Sequence, residues 1–469
     1  MQIQKNEKIL HFFAKSVIKY NIKQKRSSRM FTKIYLKNYK SLIELTVDLL
    51  KKKNEAKQLV LVYGENGVGK SNFASAFLTL RESLQTMSVR IAIDKFLNDS
   101  EEKLDMPDDV FVEMITKKMR DTESIIKNCK TINEPGNMIL EFEFVLGKKN
   151  GLYRLEYDNS RIVREKLDYV LSKNKTNVFD ITTENIKLNK NMFEDSEYEK
   201  EIKLLIKKYF GKHTVLSMML HEEEENAEGY VRERVNKGLF DVISFFMTMS
   251  TKVKTGNRGE RGSMGVSHEI LANLECGEIN ISEQGELEKA ENVVNEFFTL
   301  AYSDIKEAYY KTEIIDEKIN YELYFKKLIY GKIIDVRYTA ESTGTLQLLT
   351  VLPFLLMCVE GTTVVIDELD TGIHDLLINN ILTNIISALE GQLIITTHNT
   401  MLLDSDIDPS CIYTFMVDRD ANKTLEPITV YEDRAHPNLN YRARYLKGMY
   451  GGTPISRDID FEELHDLLD

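Results

Sequence analysis

Residues 59–71 read Leu59-Val60-Leu61-Val62-Tyr63-Gly64-Glu65-Asn66-Gly67-Val68-Gly69-Lys70-Ser71, an apolar run followed by a glycine-rich segment. The run predicts a buried strand, and the pattern G-x-x-x-x-G-K-S predicts a loop that passes into a helix. The glycines let backbone N–H groups surround a phosphate, Lys70 brings a positive charge, and the Ser71 hydroxyl is placed to bind Mg²⁺. This segment predicts a nucleoside triphosphate site formed by Gly64, Glu65, Asn66, Gly67, Val68, Gly69, Lys70, Ser71 and Asn72.

Two further apolar runs end in residues suited to phosphate chemistry. Thr363-Val364-Val365-Ile366 is a β-branched run followed by Asp367 and Glu368, a pattern that predicts a Walker B strand. Asp367 is expected to hold Mg²⁺ through water and Glu368 to polarise the attacking water. Leu393-Ile394-Ile395 leads into Thr396-Thr397-His398, whose imidazole can donate to a γ-phosphate. The candidate catalytic residues are Glu368 and His398, and the candidate metal ligands are Ser71 and Asp367.

Residues 341–349 place a polar cap before an apolar helix that is predicted to run to about Cys358. Ser342 and Thr343 are common N-cap residues, and a helix N-terminus offers free N–H groups to a phosphate. Taken alone, the pattern is more typical of an ordinary capped core helix. Its position between the phosphate-binding loop and the Walker B strand favours a role for Ser342, Thr343 and Gly344 in nucleotide binding.

The order of these motifs resembles that of the ATP-binding-cassette heads of SMC-like ATPases, with residues 342–344 as the signature motif and Leu369-Asp370 as the D-loop. Three segments are similar to the compact AAA-type ATPases of bacterial anti-phage abortive-infection systems, of the RloA and AbiLi type and of the AriA component of PARIS. They are FTKIYLKNYKS at residues 31–41, ESTGT at 341–345 and YLKGMYGGTP at 445–454. The resemblance covers residues 30 to about 170 and 335–455.

This resemblance implies ATP and Mg²⁺ as ligands. It also implies a homo-oligomer, at least a head-to-head dimer, in which the phosphate-binding loop of one protomer faces Ser342 of another. Lys40, in the opening segment, joins the candidate nucleotide-binding residues. The glutamine loop of such heads is not placed by the sequence, because Gln85 lies only 15 residues beyond Lys70.

The predicted fold is an α/β, ABC/SMC-like P-loop ATPase head with an antiparallel β subdomain and an inserted helical lid. Residues 1–29 are expected to form a basic N-terminal extension, 30–170 the N-terminal lobe of the head, 171–334 the helical insertion and 335–469 the C-terminal lobe. Alternating apolar residues predict a hairpin over 138–157 and a third strand near 161–170. Residues 195–330 are predicted to be helical, with 286–310 as the longest periodic segment, far too short for the coiled coil of chromosome-organising SMC proteins.

Composition indicates a cytoplasmic protein with no membrane span, no disulfide framework and no zinc site, because its four cysteines are isolated and its apolar stretches are short. Residues 1–29 carry eight Lys or Arg and one Glu, which leaves about −19 on residues 30–469 of a chain whose net charge is −12. So acidic a body disfavours constitutive binding of nucleic acid. The extension is interpreted as a segment that binds phosphate backbone or a membrane surface or, preferably, as one of little function.

Three charged segments allow a bland and a functional interpretation. The basic segment 252–262 is preferably a mobile solvated loop, with a contact to DNA or a phage component as the alternative. Residues 221–225, a histidine and four glutamates, are predicted to be a solvated acidic patch rather than a metal cluster. Asp418-Arg419-Asp420 is predicted to be a hairpin turn rather than a metal-binding pair.

The leading hypothesis is an ATP-hydrolysing sensor and scaffold of an anti-phage defence system. The 71 residues after His398 are too few for an appended Toprim domain, so the effector is expected on a separate chain, a Toprim- or HNH-type nuclease, released by a phage-derived trigger. The alternative is an SMC-like DNA repair or maintenance ATPase that acts directly on DNA. A third interpretation is a structural ATP-binding module without turnover.

Overall fold

The computed structural model describes residues 29–51, 55–98, 120–227, 229–254, 259–265, 269–432, 439–453 and 459–467. In chain order, the strands are β1 (Arg29–Tyr39), β2 (Leu42–Asp48), β3 (Leu59–Tyr63), β4 (Met138–Leu146), β5 (Lys149–Tyr157), β6 (Ile162–Tyr169), β7 (Thr176–Thr182), β8 (Ile186–Leu188), β9 (Ser250–Lys254), β10 (Glu260–Ser263), β11 (Cys276–Asn280), β12 (Ile305–Ile315), β13 (Lys318–Ile329), β14 (Lys332–Arg337), β15 (Thr363–Ile366), β16 (Gln392–Thr396), β17 (Ile412–Val417) and β18 (Lys423–Pro427). The helices are α1 (Lys70–Ser83), α2 (Thr86–Asn98), α3 (Thr122–Cys129), α4 (Ser196–Tyr209), α5 (Val215–Glu225), α6 (Lys237–Thr248), α7 (Glu269–Ala272), α8 (Gln284–Ala301), α9 (Thr343–Val359), α10 (Asp375–Ile385), α11 (Tyr441–Leu446) and α12 (Phe461–Asp466). The predicted basic extension, except Arg29, and residues 255–258 of the basic segment lie outside the described residues.

The first sheet is antiparallel, in the order β2-β1-β4-β5-β6-β7-β8. Pairing of β4 with β5 from Met138↔Tyr157 to Leu146↔Lys149 confirms the predicted hairpin, and β6 confirms the third strand. Phe142 of β4 and Phe77 of α1 are both buried, with ring centroids 5.7 Å apart. The sheet therefore packs against the helix that follows the phosphate-binding loop.

The second sheet has the order β10-β9-β15-β16-β3-β17-β18, and its five central strands run parallel. The strand β3 is buried on both faces, as predicted. Val60 and Val62 belong to the core shared with the first sheet, whereas Leu61 and Tyr63 belong to a second core on the other face. The carboxyl ends of parallel strands meet at one edge, which is where ligands bind in α/β sheets. The predicted α/β fold with an antiparallel β subdomain is confirmed.

A third sheet is antiparallel, in the order β11-β13-β12 with β14 paired to β13. The helix α8 packs on it: the rings of Phe298 and Phe325 have centroids 5.2 Å apart, and the Asn295 side chain accepts a hydrogen bond from the Ala308 backbone N–H at 2.9 Å. This sheet leads directly into the segment that caps α9.

The insertion over residues 171–334 is not entirely helical, so that prediction is wrong in part. Strands β7 to β13 and the start of β14 lie within it, beside helices α4 to α8. The segment 286–310 changes from helix to strand, because α8 ends at Ala301 and β12 begins at Ile305. In β13, alternate residues are buried from Ile319 to Phe325, a period of two that high Glu and Lys content concealed. The strand β9 even belongs to the parallel sheet of the head.

The acidic residues 221–225 lie in α5 and are not simply solvated, which corrects that prediction. The Glu224 carboxylate accepts a hydrogen bond from the Ser88 hydroxyl at 2.6 Å, and burial raises the pKa of Glu224 to about 7. The hairpin turn at Asp418 is confirmed, since its carboxylate accepts hydrogen bonds from the backbone N–H groups of Asp420 and Asn422, each at 2.8 or 2.9 Å.

The four cysteines, all among the described residues, are free thiols, as predicted. Within the described part of the chain, none of the helices combines the length and the apolar character needed to cross a bilayer.

Gln392, fully buried at the start of β16, joins the first two sheets. Its Oε1 accepts a hydrogen bond from the Phe31 N–H at 2.8 Å, and its Nε2 donates to the carbonyl oxygens of Phe31 and Lys57, both at 2.9 Å. The register of β1 shifts between Phe31 and Lys33, so the ladder with β4 is interrupted there. The amide of Gln392 therefore provides hydrogen-bond partners for buried backbone groups, which would cost free energy if they were left unpaired.

Substituting Gln392→Ala is expected to lower the free energy of unfolding by about 2–4 kcal/mol, because buried backbone groups lose their partners. Urea unfolding followed by circular dichroism measures the change. The matched control is Gln284→Ala on the exposed start of α8, for which we expect a change within about 0.5 kcal/mol. Equal losses in the two variants would contradict the role of Gln392 as a joint between sheets.

Candidate functional site

The phosphate-binding loop links β3 to α1, as predicted from its glycines. Gly67 and Gly69 have backbone φ values of 80° and 127°, which residues with a Cβ atom rarely adopt. A Cβ at Gly69 would also approach the Leu42 side chain to 2.9 Å. Lys70 is 5% exposed, and its Nζ donates to the carbonyl oxygens of Gly64 at 2.8 Å and Glu65 at 3.0 Å. Burial lowers the pKa of Lys70, an effect opposed by the nearby carboxylates, of which Glu368 is the strongest. Carbonyl oxygens of the loop thus hold the Lys70 ammonium group.

The two predicted metal ligands meet beside this loop. Asp367 is 1% exposed; its carboxylate accepts a hydrogen bond from the Thr396 hydroxyl at 2.6 Å and is also hydrogen-bonded to the Ser71 side chain. Burial raises the pKa of Asp367 in spite of these bonds. Mg²⁺ prefers oxygen ligands and keeps several positions for water and phosphate oxygens, so one carboxylate and one hydroxyl in contact fit it.

Glu368 follows Asp367 with an unusual backbone, at φ 51°. Its N–H donates to the Thr396 hydroxyl at 2.8 Å, and its carboxylate forms an ion pair with Lys254 and accepts from the Thr371 hydroxyl at 3.3 Å. Burial alone would raise the pKa of Glu368, but the hydrogen bond and charge of Lys254 and the bond from Thr371 lower it overall. The carboxylate is therefore held ionised at the edge of the sheet, as polarising a water requires.

His398 lies on the same edge, at the end of β16. The Asp370 carboxylate fixes this turn, because it accepts hydrogen bonds from the backbone N–H of His398 at 2.9 Å and from the Thr397 hydroxyl at 3.0 Å. Burial and the charge of Lys70 lower the pKa of His398, although Asp370 opposes them. A neutral imidazole with one N–H can donate to a phosphate oxygen. Lys70, Asp367, Glu368 and His398 thus lie close enough for their charges to influence one another, and their roles in nucleotide chemistry remain a prediction.

The signature segment caps α9. Ser342 is its N-cap, with its Oγ accepting from the Thr345 N–H at 3.2 Å, and Ser342 and Thr343 are exposed. Gly344 packs on the segment just after the D-loop so closely that a Cβ there would lie 2.5 Å from the Gly372 carbonyl oxygen. Among the described residues, no hydrogen bond joins residues 342–344 to the phosphate-binding loop of the same chain. Their role in binding nucleotide remains a prediction.

Lys40 and Asn72 are held by neighbours of the loop. The Lys40 Nζ donates to the Ser75 hydroxyl at 2.6 Å, one helical turn beyond Ser71. The Asn72 side chain donates to the Ser41 hydroxyl at 2.7 Å, which also accepts from the Lys423 Nζ at 2.9 Å. Both side chains lie next to the loop, and their direct contact with nucleotide remains a prediction.

Three residues that lie at the candidate site are not among those predicted from the sequence. Lys254, in the segment predicted to be a solvated loop, ends β9 beside the Walker B carboxylates, and a cleft of about 210 Å³ is lined by Lys254, Gly259, Glu260, Gln347 and Thr371. Thr396 contacts both Asp367 and Glu368, a role that its place before His398 hinted at. Gly452 of the C-terminal motif lies against the loop, since a Cβ there would be 3.2 Å from the Gly64 Cα.

Gln85 does not supply the missing glutamine loop. It follows the C-terminus of α1, whereas the phosphate-binding loop precedes the N-terminus of this 14-residue helix. A helix of that length places the two ends about 20 Å apart.

Substituting Lys70→Ala is expected to weaken ATP binding at least about 100-fold, because the loop loses its charge-assisted bonds to phosphate. Isothermal titration with ATP and Mg²⁺ measures this. The control is Lys289→Ala, on the exposed face of α8 with a side chain 72% exposed, which is expected to bind as the unmutated chain does. Unchanged binding by the Lys70 variant would contradict the assignment of the loop.

Comparisons with known proteins give similar solved structures and one matching family model. Among solved structures, the chain is similar to the SMC head domain from Thermotoga maritima, with a TM-score of 0.35, 13% identity and coverage of 85% of this chain and 98% of that one. It is also similar to an SMC head bound to the C-terminal winged-helix domain of ScpA, with a TM-score of 0.41, 13% identity and coverage of 84% and 97%. A third similar structure is an SMC head with an extended coiled coil bound to the C-terminal domain of ScpA, derived from Pyrococcus furiosus, with a TM-score of 0.38, 13% identity and coverage of 85% and 96%.

No curated protein matches the sequence. One family model matches residues 59–404, a span that holds the phosphate-binding loop, the signature segment, the Walker B strand and His398. The chain therefore belongs to the AAA domain family described as putative AbiEii toxin, Type IV TA system.

Proposed function

We propose that this AAA-type protein binds and hydrolyses ATP with Mg²⁺ as the sensor and scaffold of an anti-phage abortive-infection system of the RloA, AbiLi or AriA type. It oligomerises through its heads and controls a separate effector chain, a Toprim- or HNH-type nuclease. The trigger is a phage-derived component. The description of the matched family, which names a putative AbiEii toxin and a type IV toxin–antitoxin system, supports a place in such a system.

The observation that carries the ATPase part is the meeting of Ser71 with Asp367 beside a loop that encloses Lys70. These groups come from residues nearly 300 positions apart, and each has the chemistry that its motif predicted. Glu368 and His398 complete the edge. A structural ATP-binding module would need neither an ionised, oriented carboxylate nor a neutral imidazole at that place.

The chemistry that these residues support is attack of water on the γ-phosphorus of ATP. The Glu368 carboxylate accepts a hydrogen bond from the water and takes up its proton as the new P–O bond forms. The bond from the γ-phosphorus to the bridging oxygen breaks, and ADP and phosphate leave. Lys70 and the His398 N–H stabilise charge on the phosphate oxygens. Mg²⁺, held by Ser71 and Asp367, would neutralise charge on the β- and γ-phosphates when bound.

A composite site is supported by the exposure of Ser342 and Thr343. They present the N-terminus of the 17-residue helix α9 outward, where its N–H groups and dipole favour an anion. Gly344 packs this N-terminus against Gly372, two residues after Asp370 of the D-loop, and Asp370 fixes the turn at His398. A second protomer whose phosphates meet Ser342 would therefore be linked to the catalytic edge of the first.

Support for a separate effector comes from the C-terminal segment. The D-x-D sequence at Asp418 is a hairpin turn, in which the Asp418 carboxylate is engaged by the N–H groups of Asp420 and Asn422 and by the Asn422 side chain. These bonds use the oxygens that a metal-dependent nuclease would direct at its ions.

The test is to express the tagged Glu368→Gln variant together with its neighbouring genes and to purify it in the presence of ATP and Mg²⁺. Loss of the proton acceptor should slow turnover about 10²–10⁴-fold and leave ATP binding intact, which traps closed heads. Native mass spectrometry then gives the size and composition of the assembly. We expect a large assembly that contains a neighbour-encoded nuclease.

The matched control is Lys70→Ala in the same setting, which should not form the ATP-dependent assembly. A bare dimer of the Glu368 variant that retains DNA would instead favour the repair-type ATPase. Cleavage of nucleic acid by the purified chain alone, lost on substituting Asp418, would overturn the scaffold hypothesis.

A composite site predicts complementation between two inactive variants. Ser342→Arg blocks the signature surface, and Lys70→Ala disables the phosphate-binding loop. Co-expressed with different tags, they should form mixed dimers with one intact site, and an equal mixture should recover up to about a quarter of the unmutated turnover for a two-fold symmetric dimer. Release of phosphate measures turnover.

Each variant alone should be inactive in turnover, and the Ser342 variant should still bind ATP as a monomer. Its lost cap costs the helix about 1 kcal/mol, so thermal unfolding of the purified variant serves as the folding control. Normal turnover by Ser342→Arg, or no recovery in purified mixed dimers, would exclude a composite site.

A further inference from the structure

Lys254, at the end of β9, contacts both Walker B carboxylates. Its backbone N–H donates to the Asp367 Oδ2 at 3.3 Å, and its Nζ pairs with the Glu368 carboxylate. The same Nζ donates to the Thr371 hydroxyl at 2.9 Å, and Thr371 in turn donates to Glu368. One lysine therefore joins the metal carboxylate, the water-polarising carboxylate and the segment after the D-loop.

The backbone of Lys254 is fixed by the sheet. The strand β9 pairs in parallel with β15 from Ser250↔Val364 to Lys252↔Ile366, and the Asp367 N–H donates to the Lys252 carbonyl oxygen at 2.8 Å. The end of β9 is thus in register with the end of the Walker B strand, which brings Lys254 level with Glu368.

Buried charged groups hold β9 and its antiparallel partner β10 to α1. The Arg81 guanidinium donates to the Met249 carbonyl oxygen at 2.6 Å, just before β9. In β10, Arg261 forms an ion pair with Glu82 at 2.8 Å, and both side chains are 7% exposed. The helix that carries Ser71 at its start therefore also anchors, at its end, the strand β9 that carries Lys254 and its partner β10. Such anchoring preorganises the Lys254 side chain.

Stability does not explain the pair. Lys254 and Glu368 have side-chain exposures of 35% and 31%, and ion pairs open to solvent to this degree contribute little to folding. The pair does orient the Glu368 carboxylate, whose Oε2 accepts hydrogen bonds from both Lys254 and Thr371 and whose backbone lies in the left-handed region at φ 51°.

We propose that Lys254 is a positioning residue for ATP hydrolysis, which holds the Glu368 carboxylate toward the attacking water from the strand next to Walker B. The inference rests on the proposed ATPase function and adds to it a residue outside the predicted motifs. Lys254 acts through Glu368. Its removal should therefore slow the chemical step and leave ATP affinity almost unchanged.

The test compares Lys254→Met, Lys254→Arg and Lys326→Met in the full chain. Lys326 is the matched control, because its side chain is 37% exposed and forms an ion pair with Glu307 on the neighbouring strand of the third sheet. We expect kcat of Lys254→Met to fall about 10- to 100-fold with the Kd for ATP changed less than about threefold. The arginine variant should recover to within about fivefold of the unmutated rate, and Lys326→Met should stay within about twofold.

A double-mutant cycle identifies the route of the effect. In the Glu368→Gln background, measured by single-turnover phosphate release, the Lys254→Met change should cause no further loss, because the group through which Lys254 acts is gone. An additive loss in that background would overturn the assignment through Glu368. Unchanged or faster turnover of Lys254→Met would overturn the positioning role itself.

The two proposals fail differently. If the unmutated chain hydrolyses ATP and Lys254→Met hydrolyses it equally fast, only the positioning role is refuted and the ATPase function stands. Complete lack of turnover by an unmutated chain that binds ATP and assembles would overturn the proposed hydrolysis, and the role of Lys254 with it. Thermal unfolding of Lys254→Met and Lys254→Arg shows whether both variants are folded.

Discussion

The register of the parallel strands β3, β15 and β16, at the centre of the second sheet, is the constraint on which the rest of the structure depends. Thr396 pairs with Val62 and Ile366 with Ile395, so the carboxyl ends of β3, β15 and β16 lie within two residues of one another. Whatever follows each strand is therefore delivered to one edge. A phosphate-binding loop, a pair of carboxylates and a histidine become one site because three strands stop together, and a shift of one residue would turn alternate side chains to the wrong face.

Buried polar groups hold the surrounding layers to that sheet. Gln392 bonds the bulged start of β1 to the start of β16, and this joins the antiparallel subdomain to the parallel sheet. At the far end of α1, Glu82 lies between Arg261 and Arg120, with N–O distances of 2.8 and 3.6 Å. Since buried charges are tolerated only when paired, this cluster favours a single position for β9 relative to α1. The geometry at Glu368 thus depends on contacts made at both ends of one helix.

Short-range signals were sufficient for most of the site. The loop at residues 64–71, the carboxylates at 367 and 368, the cap at Ser342 and the hairpin over 138–157 each depend on neighbours in sequence, and the structure places them as predicted. The helical interpretation of residues 195–330 failed because composition outweighed periodicity. Ile319 to Phe325 alternate as a strand does, but Glu322 among them and the flanking lysines at 318, 326 and 327 are also typical of an exposed helix face.

The sequence by itself determined that a glycine-rich loop, two carboxylates and a histidine stand at strand ends, and from these it predicted where phosphate, metal and water would bind. Only the tertiary structure decided which groups orient them. Lys254 and Glu368 are 114 residues apart, and the basic segment around Lys254 has no local feature that separates it from a solvated loop. The reason is physical. Strand pairing is a long-range interaction, and the partner of a strand is set by burial and register in the assembled sheet rather than by its own residues.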